Sequence, residues 1–83
     1  LLKSNDIKIA SKVYHFINKI KKRFDIYNEN FLKKKMIELG ASKVDYIENY
    51  NIKKNFIKSK KYNKNFKIFI AYYIRNVRLI DNI

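Results

Sequence analysis

Apolar and polar positions change period along the chain. Ala10, Val13, Tyr14, Ile17, Ile20 and Phe24 recur at threes and fours, the spacing that lines one face of a helix. Just ahead, Ser4, Asn5 and Asp6 offer capping side chains and negative charge where the first helical amides lack partners. Lys19, Lys21, Lys22 and Arg23 lie toward the far end, where the helix dipole favours cations. The pattern predicts a helix over about 5–24. A second series, Leu32, Met36 and Leu39 at i, i+4, i+7, is flanked by Phe31 and Ile37. Asn28 can cap it, Glu29 stands in its first turn, and Gly40, the only glycine, falls where a left-handed stop is wanted. This predicts a helix over about 29–39.

Beyond Gly40 the period drops to two. "KVDYIENY" puts Val44, Tyr46 and Glu48 on one side and Asp45, Ile47 and Asn49 on the other, a strand over about 43–50. "KIFIAYYI", about 67–74, is apolar on both faces and suits a central strand, and "VRLIDN", about 77–82, reads as a third. Only Arg75 and Asn76 separate the last two, which predicts a type I′ turn with positive φ at Asn76. That register sets Ile74 opposite Val77, Tyr72 opposite Leu79 and Ile70 opposite Asp81. On the reverse face it sets Tyr73 opposite Arg78, Ala71 opposite Ile80 and Phe69 opposite Asn82. The first face is the more apolar near the turn, so the helices are expected over it. Residues 49–65, "NYNIKKNFIKSKKYNKN", hold six lysines and five asparagines and read as a solvated loop, with a short turn or strand around Phe56–Ile57. The fold class expected is α+β: two helices followed by a three-stranded, mostly antiparallel sheet.

Length and composition narrow the function. The 83 residues make one small domain, burying about 60–65% of the unfolded surface. Without cysteine, disulfides and thiolate metal sites are excluded, which suits a reducing compartment. The longest uncharged apolar run, Ile68–Ile74, is far short of the ~20 residues of a membrane span, and no signal segment opens the chain. No membrane partner is expected, and the location expected is cytoplasmic. A first residue Leu1 rather than Met suggests a piece of something larger.

Twenty basic residues against seven acidic ones give a net charge of +13, which attracts polyanions. Yet Lys, Ile, Asn, Tyr and Phe, whose codons are rich in A and T, make up 55 of the 83 residues. Only three basic residues are arginines, the side chain that dominates forked contacts to bases and phosphates. The charge therefore reads first as the mark of an AT-rich genome, and nucleic acid is expected to bind only non-specifically.

Candidate chemistry is sparse. His15 is the sole histidine and has no carboxylate three or four residues away to orient it, so it reads as a surface residue. Asp45 and Glu48 fall on opposite strand faces, which excludes a carboxylate dyad. One glycine cannot build a phosphate loop, and metal-ligand spacing is absent. Lys33, Lys34 and Lys35 wrap a helix turn as a solvated face. Tyr and Phe interleaved with Lys over 56–73 could stack bases, although packing against the helices is the simpler reading. No catalytic, cofactor-binding or metal-ligating residue is expected on these grounds.

Two stretches carry a resemblance. "ELGASKVDYIENYN", Glu38 to Asn51, and "FIAYYIRNVRLIDN", Phe69 to Asn82, resemble the carboxyl-terminal domain of pantothenate synthetase (pantoate–β-alanine ligase). The matching positions are Val44, Asp45, Tyr46, Ile47 and Glu48 in the first, and Arg78, Leu79, Ile80, Asp81 and Asn82 in the second. The opening "LLKSNDIKIASKVY" is similar to the family's helix start, with Tyr14 at a usual tyrosine. Ile7 stands where the family often has Arg, and Lys3 where it often has a capping Ser. Asn51 and a lysine-rich loop replace the family's Asp-Pro-type turn.

The resemblance implies a lid domain of a Rossmann-like adenylate-forming ligase. In that reaction pantoate and ATP form pantoyl adenylate with loss of pyrophosphate, and β-alanine then attacks to give pantothenate and AMP. The family's nucleotide-binding domain, with its His-Ile-Gly-His and Ser-Ser-Arg-Asn loops, would lie upstream of Leu1 and supply the partner surface, the ATP and Mg2+ sites and the homodimer contact. No catalytic residue of the family maps onto this chain, so the chain alone is expected to be inactive, with a hinge around Leu1–Ser4. Two other readings stay open: a small basic nucleic-acid-binding module, and a degenerate, non-catalytic remnant of the ligase.

Overall fold

The computed structural model describes residues 2–51 and 66–83. They form helix α1 (Ser4–Ile20), a 3-10 turn (Lys21–Ile26), helix α2 (Glu29–Glu38) and strands β1 (Lys43–Asn51), β2 (Phe66–Ile74) and β3 (Val77–Asn82). The strands make one antiparallel sheet in the order β1-β2-β3. The expected α+β class and the central place of β2 hold. The expected turn or strand around Phe56–Ile57 lies outside the described residues.

Lys3 is the N-cap of α1, and its N–H donates to Asp6 Oδ2 at 2.8 Å. An ammonium has no lone pair to offer the helix in return, so the cap is one-sided and Asp6 supplies it. Val13, Ile17 and Ile20 are buried, with Ala10 and Phe24 packed beside them. Tyr14, read from the sequence as part of that stripe, is 45% exposed. It lies about 100° round the helix from Val13, past the edge of the buried face. The α-helix also stops at Ile20 rather than near 24, and Arg23 leaves helical geometry at φ −123°. A further α turn would stack Lys19 on Arg23, a like-charge pair four residues apart.

α2 begins as expected, with Asn28 Oδ1 accepting the Phe31 N–H at 2.8 Å. Leu32 and Met36 are buried. At its end the Gly40 N–H donates to Ile37 O and the Ala41 N–H to Met36 O, at 3.0 and 3.1 Å. This is a Schellman closure, and it requires the positive φ that Gly40 adopts, 126°. Ile9 of α1 fills the space beside it: a Cβ on Gly40 would stand 2.8 Å from Ile9 Cδ1. The two helices are thus locked together at this end.

β2 turns Ile68, Ile70, Tyr72 and Ile74 into the core below the helices. Each fully buried isoleucine contributes roughly 2 kcal/mol relative to exposure. The β2–β3 register matches the sequence reading pair for pair, from Phe69 opposite Asn82 to Ile74 opposite Val77. The turn does not. Arg75, not Asn76, holds the positive φ, 57°. Positive φ at the first loop residue alone belongs to a type II′ turn, and Arg75 is held there by contacts made elsewhere in the fold.

β1 differs too. A β-bulge falls between Val44 and Tyr46, with Asp45 the extra residue. Val44 is then opposite Tyr72 and Ile47 opposite Ile70, both on the core face, while Tyr46 and Glu48 oppose Ala71 and Phe69 on the open face. Strict alternation would have sent Val44 and Ile47 to opposite sides. Both are apolar, and the inserted residue lets both face the helices.

The closure at Gly40 gives a direct expectation. Gly40→Ala lowers unfolding stability by about 1–3 kcal/mol in urea titrations, from backbone strain and the collision with Ile9. The cost of the same change is smaller in an Ile9→Ala background. Equal costs in both backgrounds would mean that Ile9 does not press on this glycine.

Candidate functional site

The bulge decides what the open sheet face presents. With Asp45 carried to that side, Arg78 Nε donates to Asp45 Oδ2 at 2.9 Å. Lys43 Nζ stands 3.8 Å from Asp45 Oδ1 and 5.6 Å from the centre of the Tyr73 ring. The hydrogen bond to Asp45 raises the Arg78 pKa further above its ordinary value. Water screens the pair, so it orients the two strands more than it stabilises them. The expected separation of Asp45 and Glu48 is therefore corrected: both belong to the open face.

The remaining motif residues divide between the faces. Val44 and Leu79 are half-buried beside the core, and Ile47 is fully within it. Tyr46 and Ile80 face each other across Ala71, which is buried, while Ile80 itself is 63% exposed. Glu48 and Asn82 flank Phe69 at the far end. Asp81 is exposed, and its Oδ1 accepts the N–H of Asn82 at 2.8 Å. The structure thus joins Asp45 with Arg78 and leaves Asp81 and Asn82 apart from them. His15 is exposed and lies edge-on to Tyr14, with ring centres 5.5 Å apart. Lys33 pairs with Glu29 and Lys35 with Glu38 along α2. Among the described residues no group of three His, Cys, Asp or Glu could hold a metal ion.

A second cluster ties the start of the chain to the β2–β3 turn. Asp6 is 3% exposed and is the buried charged residue of the described core. Arg75 Nε donates to Asp6 Oδ1 at 3.1 Å and to Oδ2 at 3.2 Å, and Arg75 Nη2 also donates to Oδ2. The Ser42 hydroxyl, between α2 and β1, donates to the carbonyls of Arg75 at 3.1 Å and Tyr73 at 3.3 Å. Three distant segments meet here. The Arg75 guanidinium, then the Lys3 N–H, hold the Asp6 pKa down at about 2, although burial opposes the shift.

A family model described as pantoate-beta-alanine ligase matches residues 1–83. The chain belongs to that family. The match supports a ligase function in pantothenate synthesis. No curated protein and no solved structure matches the chain. In this member of the ligase family, the two five-residue motifs, Val44 to Glu48 and Arg78 to Asn82, lie in the outer strands β1 and β3, and the Asp45–Arg78 pair joins them across β2.

The Asp6–Arg75 pair was not anticipated from the sequence. Asp6 read as a helix cap and Arg75 as a turn residue, and 69 positions separate them. The available signal was slight: an acid in a first helical turn, and an arginine in a two-residue loop that favours Gly or Asn.

A carboxylate whose folded pKa lies below its unfolded value adds stability at pH above the unfolded value. That contribution is lost as pH falls through the folded pKa. For Asp6 the window runs from 3.8 down to about 2. Melting temperature should therefore fall across this window more steeply for the native chain than for Asp6→Asn. Parallel curves would show that Asp6 is not charged and paired in the fold.

Proposed function

We propose that this chain is the carboxyl-terminal lid domain of a pantoate–β-alanine ligase. The enzyme condenses pantoate with β-alanine using ATP, through a pantoyl adenylate, releasing pyrophosphate and AMP. The observation that carries the reading is the family match along the whole chain, together with the meeting of its two motif segments through Asp45 and Arg78. The nucleotide-binding domain, reached through the segment before α1, is the partner. It holds ATP and Mg2+ and makes the homodimer contact, and the enzyme works in the cytoplasm.

The lid reading rests on what these residues can and cannot do. An acyl adenylate is destroyed by water, so a cap over the cleft protects it. A cap must move as one piece to close. The Asp6–Arg75–Ser42 corner braces α1, the α2–β1 connection and the β2–β3 turn into such a piece. No helix among the described residues is long and apolar enough to cross a membrane.

The test is AMP release from pantoate, β-alanine and Mg-ATP. The chain alone should give none above a protein-free blank. Added to a family nucleotide-binding domain that lacks its own lid, it should raise pantothenate formation, and an Asp6→Asn/Arg75→Gln double variant should raise it less. Fragment-dependent pantothenate formation by the chain alone would contradict the lid role. No effect on the partner domain would favour a degenerate remnant.

A further inference from the structure

The net positive charge is not spread evenly over α1. Lys8, Lys12, His15 and Lys19 follow at i, i+4, i+7 and i+11, and all four are exposed. At 100° per residue they fall within a strip about 60° wide. The strip is about 16 Å long at 1.5 Å per residue, enough for several phosphates. Among the described residues Lys8, Lys12 and Lys19 have no ion pair, and the acid of α1, Asp6, is buried on the opposite side. The C-terminal end of this row opens into a cleft of about 340 Å³ between the helices. Phe16, Tyr27 and Phe31 supply its aromatic lining, and Lys19 from α1 and Lys35 from α2 supply the charge. Among the described residues no carboxylate lines it, although Lys35 is paired with Glu38 at 3.4 Å. The Phe31 ring stacks on Tyr27, at 5.5 Å between centres and 10° between planes, yet Phe31 remains 42% exposed.

A track of cations leading to an aromatic cleft bounded by two ammoniums is complementary to a phosphodiester chain with unpaired bases. We propose that α1 and the cleft bind single-stranded nucleic acid, with the backbone along Lys8, Lys12 and Lys19 and a base in the cleft against Phe31. This goes beyond the ligase reading and does not depend on it. Stacking accepts any base, so the site distinguishes single strands from duplexes, not one sequence from another. Bases paired inside a duplex cannot enter the cleft.

Fluorescence anisotropy of a labelled twelve-residue oligothymidylate, read at several salt concentrations, tests the assignment. Three ammoniums without a carboxylate partner among the described residues, Lys8, Lys12 and Lys19, should give a slope of log K against log salt near −2 for a single strand. Lys12→Ala should make it shallower by about 0.7. An abasic strand of equal length should bind at least about fivefold more weakly. Phe31→Ala, with its thermal melt unchanged, should bring the thymidylate down to the abasic level. Equal binding of abasic and thymidylate strands, or an unaffected Phe31→Ala variant, would overturn the proposal. So would anionic vesicles that match the strand at equal phosphate. Displacement of the strand by micromolar AMP would reassign the cleft to a free nucleotide and overturn it as well.

Discussion

A carboxylate removed from water must be paired, and in this fold the pairing of Asp6 with Arg75 sets much else. Asp6 accepts the N–H of Lys3 and the guanidinium of Arg75, so one side chain both starts α1 and anchors it to the far end of the hairpin. The anchor explains why Arg75, rather than the better suited Asn76, takes positive φ. That conformation costs an arginine energy, and the ion pair and the Ser42 bond to its carbonyl hold it in place. A small core without disulfides gains cohesion from such long-range ties.

The second constraint is the bulge at Asp45. By turning both Val44 and Ile47 inward it completes the core under α2, and by turning Asp45 outward it meets Arg78. In this chain β1 therefore meets two demands at once, apolar residues for the helices and an acid for Arg78. Neither demand is visible in β1 alone.

Most of the fold could be read from local signals. Helix faces, the Gly40 stop, the central β2 and the full β2–β3 register follow from periodicity and from a two-residue loop. The positive φ at Arg75 and the parity of β1 are set by partners distant in sequence, which a local pattern does not encode, whereas the early end of α1 answers to a local like-charge pair that periodicity alone does not weigh. The open face and the corner were likewise hidden. Their defining pairs, Asp45–Arg78 and Asp6–Arg75, are separated by 33 and 69 positions. Charge was legible as a total, whereas its concentration in a row on α1 becomes evident once the helix is known to bury its other side.

Asp6 is ionised and held by Arg75 where the chain's opening helix meets the hairpin. Titration of the Asp6 carboxyl carbon by nuclear magnetic resonance measures this directly. A midpoint of about 2, moving up toward 3.8 in an Arg75→Ala variant, is the expected result. A midpoint near 3.8 in the native chain, unmoved by loss of Arg75, would contradict it.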